Sequence, residues 1–214
     1  MEDSKVKKTG TTTVGIIGTD GVILASEKRT TAGYIVSDDS EKVYEIDTHI
    51  GMAGAGVAGD MLALVRILRI EARLYRMRER KSMSIEAACN LLSNIMYQYK
   101  MFPFLTAIIF GGTDEKGNTK LFTLDPYGDI LEVKDHTAFG GSGWPSAQAV
   151  LDSLYEKKSI KELIPLAVKA INAAKKRDPN SGGDVDIVVI TKEGFKRLNK
   201  EEIEKIISEL KKRK

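Results

Sequence analysis

The strongest constraint on the fold of this chain is the order in which its hydrophobic period switches between strand and helix. Two short apolar runs come first, Thr13 to Ile17 and Val22 to Ala25, separated by Gly18-Thr19-Asp20-Gly21. An Asp-Gly pair between two such runs predicts a hairpin. Strand-like pieces follow at Val43 to Ile46 and Ile50 to Ala55. The period then turns helical: Met61, Leu64, Val65, Leu68, Ala72 and Tyr75 share one face, and Ile85, Ala88, Leu92, Ile95 and Tyr99 share another. Strands return at Thr106 to Phe110, Lys120 to Leu124 and Ile130 to Val133. Of the next two helices, one opens at Pro145, a favoured residue in a first turn. The other opens at Ser159, where Glu162 three residues on completes a capping box. Val185 to Ile190 is a dense β-branched strand, and a closing amphipathic helix carries Ile203, Ile206, Ile207 and Leu210.

Blocks of strands alternating with pairs of helices predict an α+β layered domain, not the strict βαβ alternation of a doubly wound sheet. Two antiparallel sheets with helices on both outer faces satisfy the pattern. At 214 residues, with no repeat, linker or low-complexity stretch, the chain reads as one domain large enough for a substantial core. No run approaches the ~18 apolar residues of a membrane span, and the polar first ten residues lack the apolar middle of a secretory signal. The single cysteine, Cys89, falls on an apolar helix face and reads as core; without a partner it forms no internal disulfide, which fits a reducing cytoplasm. The net charge of +3 is accounted for by Lys211, Lys212, Arg213 and Lys214, where cations suit the end of a helix. No nucleic-acid motif accompanies them, so no nucleic-acid partner is expected. The two histidines, His49 and His136, make no metal site with Cys89, and neither metal nor cofactor is expected.

The chemistry-bearing strings are few. Lys8-Thr9-Gly10-Thr11-Thr12-Thr13-Val14-Gly15 on its own reads equally as an ordinary strand entry, since threonine favours strands. Glu27-Lys28-Arg29 follows, then Lys42 ahead of Val43-Tyr44-Glu45-Ile46. Taken alone, Glu27 and Lys42 read as an exposed ion pair worth at most about 1 kcal/mol. Gly51-Met52-Ala53-Gly54-Ala55-Gly56 leads to Gly59-Asp60 and a helix, and Gly140-Gly141-Ser142-Gly143 precedes another. Arg177-Asp178-Pro179-Asn180-Ser181-Gly182-Gly183 precedes the last long strand and alone reads as turn chemistry.

Taken together and in this order, these strings resemble the proteasome β family, and among its members the archaeal β subunits of the 20S particle, from Gly10 to about Ile190. The resemblance implies the N-terminal-nucleophile hydrolase fold, a four-layer αββα sandwich. It also implies a threonine peptidase in which residues 1–10 are a leader removed by self-cleavage between Gly10 and Thr11, leaving 11–214 as the catalytic domain. Carried over by position, Thr11 is the nucleophile and Glu27 and Lys42 are its charged partners. Ser142, Asp178 and Ser181 hold its amino group and a water, and the N–H of Gly56 is the oxyanion donor. The substrate side chain is received by Thr30, Thr31, Ser40, Tyr44, Gly54, Ala58 and Leu62, an uncharged set that implies preference for large apolar residues. Gly54 at its floor implies a deep pocket. The segment between Arg29 and Lys42 is one residue shorter than in typical members, which makes Lys28 the next candidate for the lysine, and Gly140 stands where Ser or Thr is usual.

The implied partners are proteasome α subunits and other β subunits in stacked rings of seven, an ATP-dependent unfoldase, and unfolded proteins as substrates in the cytoplasm. Two other readings remain open: a non-catalytic structural β-ring subunit, and a protease of the bacterial two-ring type. The residue types suit the chemistry. An N-terminal threonine carries its own base, the α-amine, with a reference pKa of about 7.7–8.0. A nearby lysine cation favours the neutral amine, and a donor for the tetrahedral oxygen is typically worth a factor of ~100 to 1,000.

Overall fold

The computed structural model describes residues 10–212; residues 1–9 of the expected leader, and Arg213 and Lys214 of the basic tail, lie outside them. In chain order the elements are β1 (Thr13–Ile17), β2 (Gly21–Glu27), β3 (Thr30–Thr31), β4 (Ile35–Ser37), β5 (Val43–Asp47), β6 (Ile50–Gly56), α1 (Ala58–Glu79) and α2 (Ile85–Gln98). There follow β7 (Thr106–Thr113), β8 (Thr119–Leu124), β9 (Ile130–Val133), β10 (His136–Ala138), α3 (Trp144–Leu154), α4 (Ile160–Arg177), β11 (Val185–Thr191), β12 (Gly194–Arg197) and α5 (Lys200–Lys212).

The long strands form two antiparallel five-stranded sheets, ordered β10-β1-β2-β11-β12 and β5-β6-β7-β8-β9. Strand alternation decides which side chain meets which layer. On β2, Ile23 and Ala25 join a core with Leu163, Ala167 and Ile171 of α4, whereas Val22 and Leu24 face the other sheet and meet Ile109, Leu121, Val188 and Ile190. On the second sheet Met52, Ile108, Phe110 and Leu124 pack beneath Leu64, Leu68, Leu92 and Met96 of α1 and α2. The layers therefore run α3/α4/α5, sheet, sheet, α1/α2. This is the expected α+β αββα sandwich.

The predicted hairpin closes with the Gly18 N–H donating to the Gly21 carbonyl at 2.8 Å. The Ser159 N–H donates to Glu162 Oε2 at 3.3 Å, as the capping box requires. Four strands were not foreseen. β3 and β4 form a separate two-stranded patch, and β10 and β12 are edge strands of three and four residues. Cys89 is buried as expected, and burial pushes its thiol pKa up to about 12. None of the described helices is long and apolar enough to cross a membrane.

The register brings the informative strings to one end of the sandwich. Thr13 pairs with Ser26 and Val185 pairs with Glu27, so Thr11 and Thr12, Glu27, and the Asp178–Gly183 loop leave the first sheet side by side. Val14 pairs with Ala138, which delivers the Gly140–Gly143 loop to the same place. From the second sheet, Lys42 enters β5 beside Gly54, whose N–H donates to the Lys42 carbonyl at 3.1 Å. The sheet-to-sheet contact thus sets the site's dimensions. Leu24→Ala, at a fully buried inter-sheet position, should destabilise the subunit by about 2–5 kcal/mol, read from the urea midpoint with an unchanged m-value.

Candidate active site

Glu27 ends β2 and is fully buried, a position that a carboxylate tolerates only when its oxygens are satisfied. They are. Oε1 accepts from Lys42 Nζ and from the Thr12 N–H at 3.2 Å. Oε2 accepts from the N–H of Arg29 at 2.7 Å and of Gly182 at 2.9 Å. Lys42 is only 8% exposed and also donates to the Arg29 carbonyl at 2.5 Å. Burial pushes the Lys42 pKa below the usual lysine range, and Glu27 opposes that shift without cancelling it. The exposed-pair reading therefore does not hold. Lys28, the other candidate lysine, points elsewhere and pairs with the exposed Asp39 at 2.8 Å.

A second polar cluster lies across Thr12. Asp178, the C-cap of α4, accepts at Oδ2 from the hydroxyls of Ser142 and Ser181, both at 2.6 Å. Its Oδ1 accepts from the Asn180 N–H at 3.1 Å. Burial raises the carboxyl's pKa, but the hydroxyl and Asn180 hydrogen bonds outweigh it and hold Asp178 below its ordinary range. The Thr12 hydroxyl lies 2.8 Å from Ser181 Oγ while its N–H reaches Glu27, so one residue joins the two clusters.

Thr11 precedes this bridging threonine, 4% exposed, with its hydroxyl donating to the Gly10 carbonyl at 2.5 Å. The Gly140–Gly143 loop lies over its backbone. Gly140 and Gly141 have φ of +77° and +79°, and a Cβ on Gly141 would fall 1.9 Å from the Thr11 carbonyl oxygen. That φ at position 140 favours glycine over the Ser or Thr usual in the family.

The remaining expected residues are spread further. Thr31, nearly buried, accepts the Gly10 N–H at 3.3 Å, while Thr30 beside it and Ser40 are half-buried. Tyr44 is half-buried, packs toward the α1/α2 core, and donates its hydroxyl to the Glu41 carbonyl at 2.7 Å. Ala58 and Leu62 lie exposed at the start of α1. Gly56 ends β6 with φ +135°, where a Cβ would strike the Leu105 carbonyl at 2.0 Å. Gly54 is buried, but the space expected beneath it is taken: the Met61 methyl lies 1.4 Å from where a Gly54 Cβ would be. Sequence reasoning missed Met61 as well as Thr12 and Arg29. Met61 carried only the signal of a helical core position, and the other two act largely through backbone groups, which leave no mark in a sequence.

The sequence pattern described as "Proteasome subunit" matches residues 7–190. The chain belongs to the proteasome subunit family. Within it, the similarity is to β subunits. "Proteasome subunit beta" of Methanocaldococcus vulcanius is 50% identical over 200 residues, covering 92% of this chain and 89% of the relative. That of Methanocaldococcus fervens is 48% identical over 203 residues (94% and 90%), and that of Methanosarcina mazei is 44% identical over 205 (95% and 96%). Membership of this family implies a chain that assembles with other proteasome subunits.

The burial of the ion pair yields a prediction. Removing one partner of a buried pair typically costs about 3–5 kcal/mol, because the other charge is stranded. Lys42→Ala should therefore lower stability by up to that amount, moderated by the three backbone donors that Glu27 keeps. Lys42→Met combined with Glu27→Gln should recover part of the loss. Chemical denaturation of the three proteins measures both changes.

Proposed function

We propose that this chain is a catalytic β subunit of the 20S proteasome core particle, a threonine endopeptidase whose nucleophile is Thr11 once residues 1–10 have been removed. The observation that carries the reading is that the buried Lys42–Glu27 pair and the Ser142–Asp178–Ser181 cluster are joined by Thr12, the neighbour of Thr11, at the end of the sandwich where the Thr11 hydroxyl meets the Gly10 carbonyl. A structural subunit needs neither a buried ion pair nor hydroxyls focused on a carboxylate at that place.

In the proposed self-cleavage, Thr11 Oγ forms a bond to the Gly10 carbonyl carbon, and the bond from that carbon to the Thr11 nitrogen breaks. The hydroxyl proton ends on that nitrogen, leaving an ester. Water then releases the leader as a carboxylic acid and restores the hydroxyl. In the mature chain the new α-amine takes the hydroxyl proton, while Lys42, kept charged and oriented by Glu27, favours the amine's neutral form. Ser142, Asp178 and Ser181 orient the amine, and the N–H of Gly56 receives the developing oxyanion. The residues suited to the substrate side chain are Thr30, Thr31, Ser40, Tyr44, Gly54, Ala58 and Leu62, with the Met61 thioether at the floor. The proposed setting is a cytoplasmic barrel of seven-membered β rings between α rings, supplied with unfolded proteins by an ATP-dependent unfoldase.

Intact mass of the chain after co-assembly with α subunits tests the nucleophile. The expected mass starts at Thr11. Thr11→Ala should keep its leader in particles lacking wild-type sites and lose hydrolysis, while Thr11→Ser retains part. A peptide-hydrolysing particle whose β chain still begins at Met1 overturns the assignment.

Specificity gives a separate prediction. No charged group among the proposed pocket residues offsets the desolvation of a basic or acidic side chain, whereas burying a large apolar one gains about 1.5–3 kcal/mol. That corresponds to roughly ten- to a hundredfold in rate if realised in the transition state. Fluorogenic peptides ending in Leu or Tyr should therefore be cleaved faster than those ending in Arg or Glu. Because Met61 is flexible and apolar, Met61→Ala should shift the preference toward larger groups without reversing its sign.

A further inference from the structure

Gly10 is clamped between two walls. On one side its N–H donates to Thr31 Oγ1 at 3.3 Å, and its carbonyl accepts the Thr11 hydroxyl at 2.5 Å. On the other stands Asn180. A Cβ placed on Gly10 would fall 1.7 Å from Asn180 Cβ and 2.8 Å from both its Cα and its Cγ. Turning the Asn180 side chain does not relieve this, because Cα and Cβ are fixed by the backbone and do not move with χ1. The backbone is itself tied down. The Asn180 N–H donates to Asp178 Oδ1 at 3.1 Å, and the Ser181 N–H to the Asp178 carbonyl at 3.1 Å. The Pro179 carbonyl accepts from Arg29 Nη1 at 3.3 Å, and the Gly182 N–H reaches the buried Glu27 carboxylate at 2.9 Å. A loop pinned before, at and after Asn180 is poorly able to retreat from a larger residue at position 10.

We propose that Asn180 is the residue that selects glycine at position 10: its Cβ closes the space beside Gly10, so that only a residue without a side chain leaves its carbonyl within reach of the Thr11 hydroxyl. This rests on the reading of Thr11 as the self-cleaving nucleophile. Asn180 is a positioning residue that takes no part in proton or bond transfer. Any side chain at position 10 displaces the leader rather than the loop, and the carbonyl leaves the hydroxyl. A misplacement of about 1 Å is enough to slow such a reaction ~100-fold.

The test follows leader removal over time, by intact mass, in particles assembled from a single β variant with α subunits. Gly10→Ala alone should slow cleavage about a hundredfold. Adding Asn180→Gly, which removes the obstructing Cβ, should restore cleavage to within roughly tenfold of the Asn180→Gly single variant. Adding Asn180→Ala, which keeps that Cβ, should not. A purely structural role for Asn180 predicts no such difference between the glycine and alanine backgrounds. Wild-type cleavage with an equally fast Gly10→Ala overturns the inference and leaves the Thr11 reading standing, as does failed rescue by Asn180→Gly. An Asn180→Gly single variant that no longer cleaves where Asn180→Ala still does also overturns it, since both lose the same side-chain amide to Asp178 and the proposal gives the Cβ no role beyond excluding a side chain at position 10. A wild-type chain that keeps its leader in an active particle sinks the underlying reading instead.

Discussion

The buried carboxylate of Glu27 is the interaction on which the rest of the site depends. Moving an ion into the interior costs several kcal/mol unless its charge is matched and its lone pairs filled. Here the four donors come from four places: the Thr12 N–H before β1, the Arg29 N–H after β2, the Gly182 N–H before β11, and Lys42 before β5. The first three segments belong to one sheet and the fourth to the other. Satisfying one carboxylate therefore fixes the entry of β1, the exit of β2, the approach to β11 and the alignment of the two sheets at that end. The same requirement keeps Lys42 indoors, so the lysine's altered proton affinity follows from the architecture.

Two ionisable centres share this end of the sandwich, and their environments act on them differently. For Lys42 burial dominates, and its pKa falls. For Asp178 the hydrogen bonds from Ser142, Ser181 and Asn180 overcome burial, and its pKa also falls. The consequences differ in sign. The stability that Asp178 contributes is present above the ordinary carboxylate pKa of about 4 and disappears as pH falls through its depressed folded value. The strain of a charged, buried Lys42 is relieved as pH rises from its depressed folded pKa toward the ordinary value near 10.4. Between the two depressed folded values both groups are charged, with Thr12 joining their clusters through its N–H to Glu27 and its hydroxyl beside Ser181.

Much of this was legible in the sequence, and what was missed has definite causes. The long strands, α1, α2 and α5 carry their own periodicity, and α3 and α4 their opening proline and capping box, so their order argued for a layered α+β domain and the family resemblance for the four-layer sandwich. β3, β4, β10 and β12 are two to four residues long, too short for an alternation to register. The site strings were readable because they are side-chain chemistry in a fixed order. Lys42 was misjudged as exposed because burial is a property of what surrounds a residue, and its surroundings come from positions 27, 29 and 54. For the same reason Gly54 suggested an open floor: the methyl that fills it belongs to Met61, seven residues on, and only the packing of α1 on β6 brings the two together. Asn180 was likewise indistinguishable from an ordinary turn residue until the loop was laid against Gly10.

The state of the Gly10–Thr11 bond then explains how a site can be built before it is used. Every hydrogen bond that holds the network together, from Glu27 to Lys42, from Asp178 to the two serines, and through Thr12, is made with Gly10 still attached. None of them needs a free amine. Under the proposed reading, cleavage changes one group only: the Thr11 nitrogen passes from an amide, which is not a base, to an amine, which is. The resting precursor also has the Thr11 hydroxyl spending its proton on the carbonyl that it would attack, so the bond is in place but no group has yet accepted the proton. In that reading, self-cleavage would require the proton to leave, and the cleavage product would supply the base that handles it in later turnovers. Because these bonds are made to Thr12 and its partners and not to the leader, the proposed conversion would proceed without rebuilding the fold around Thr11.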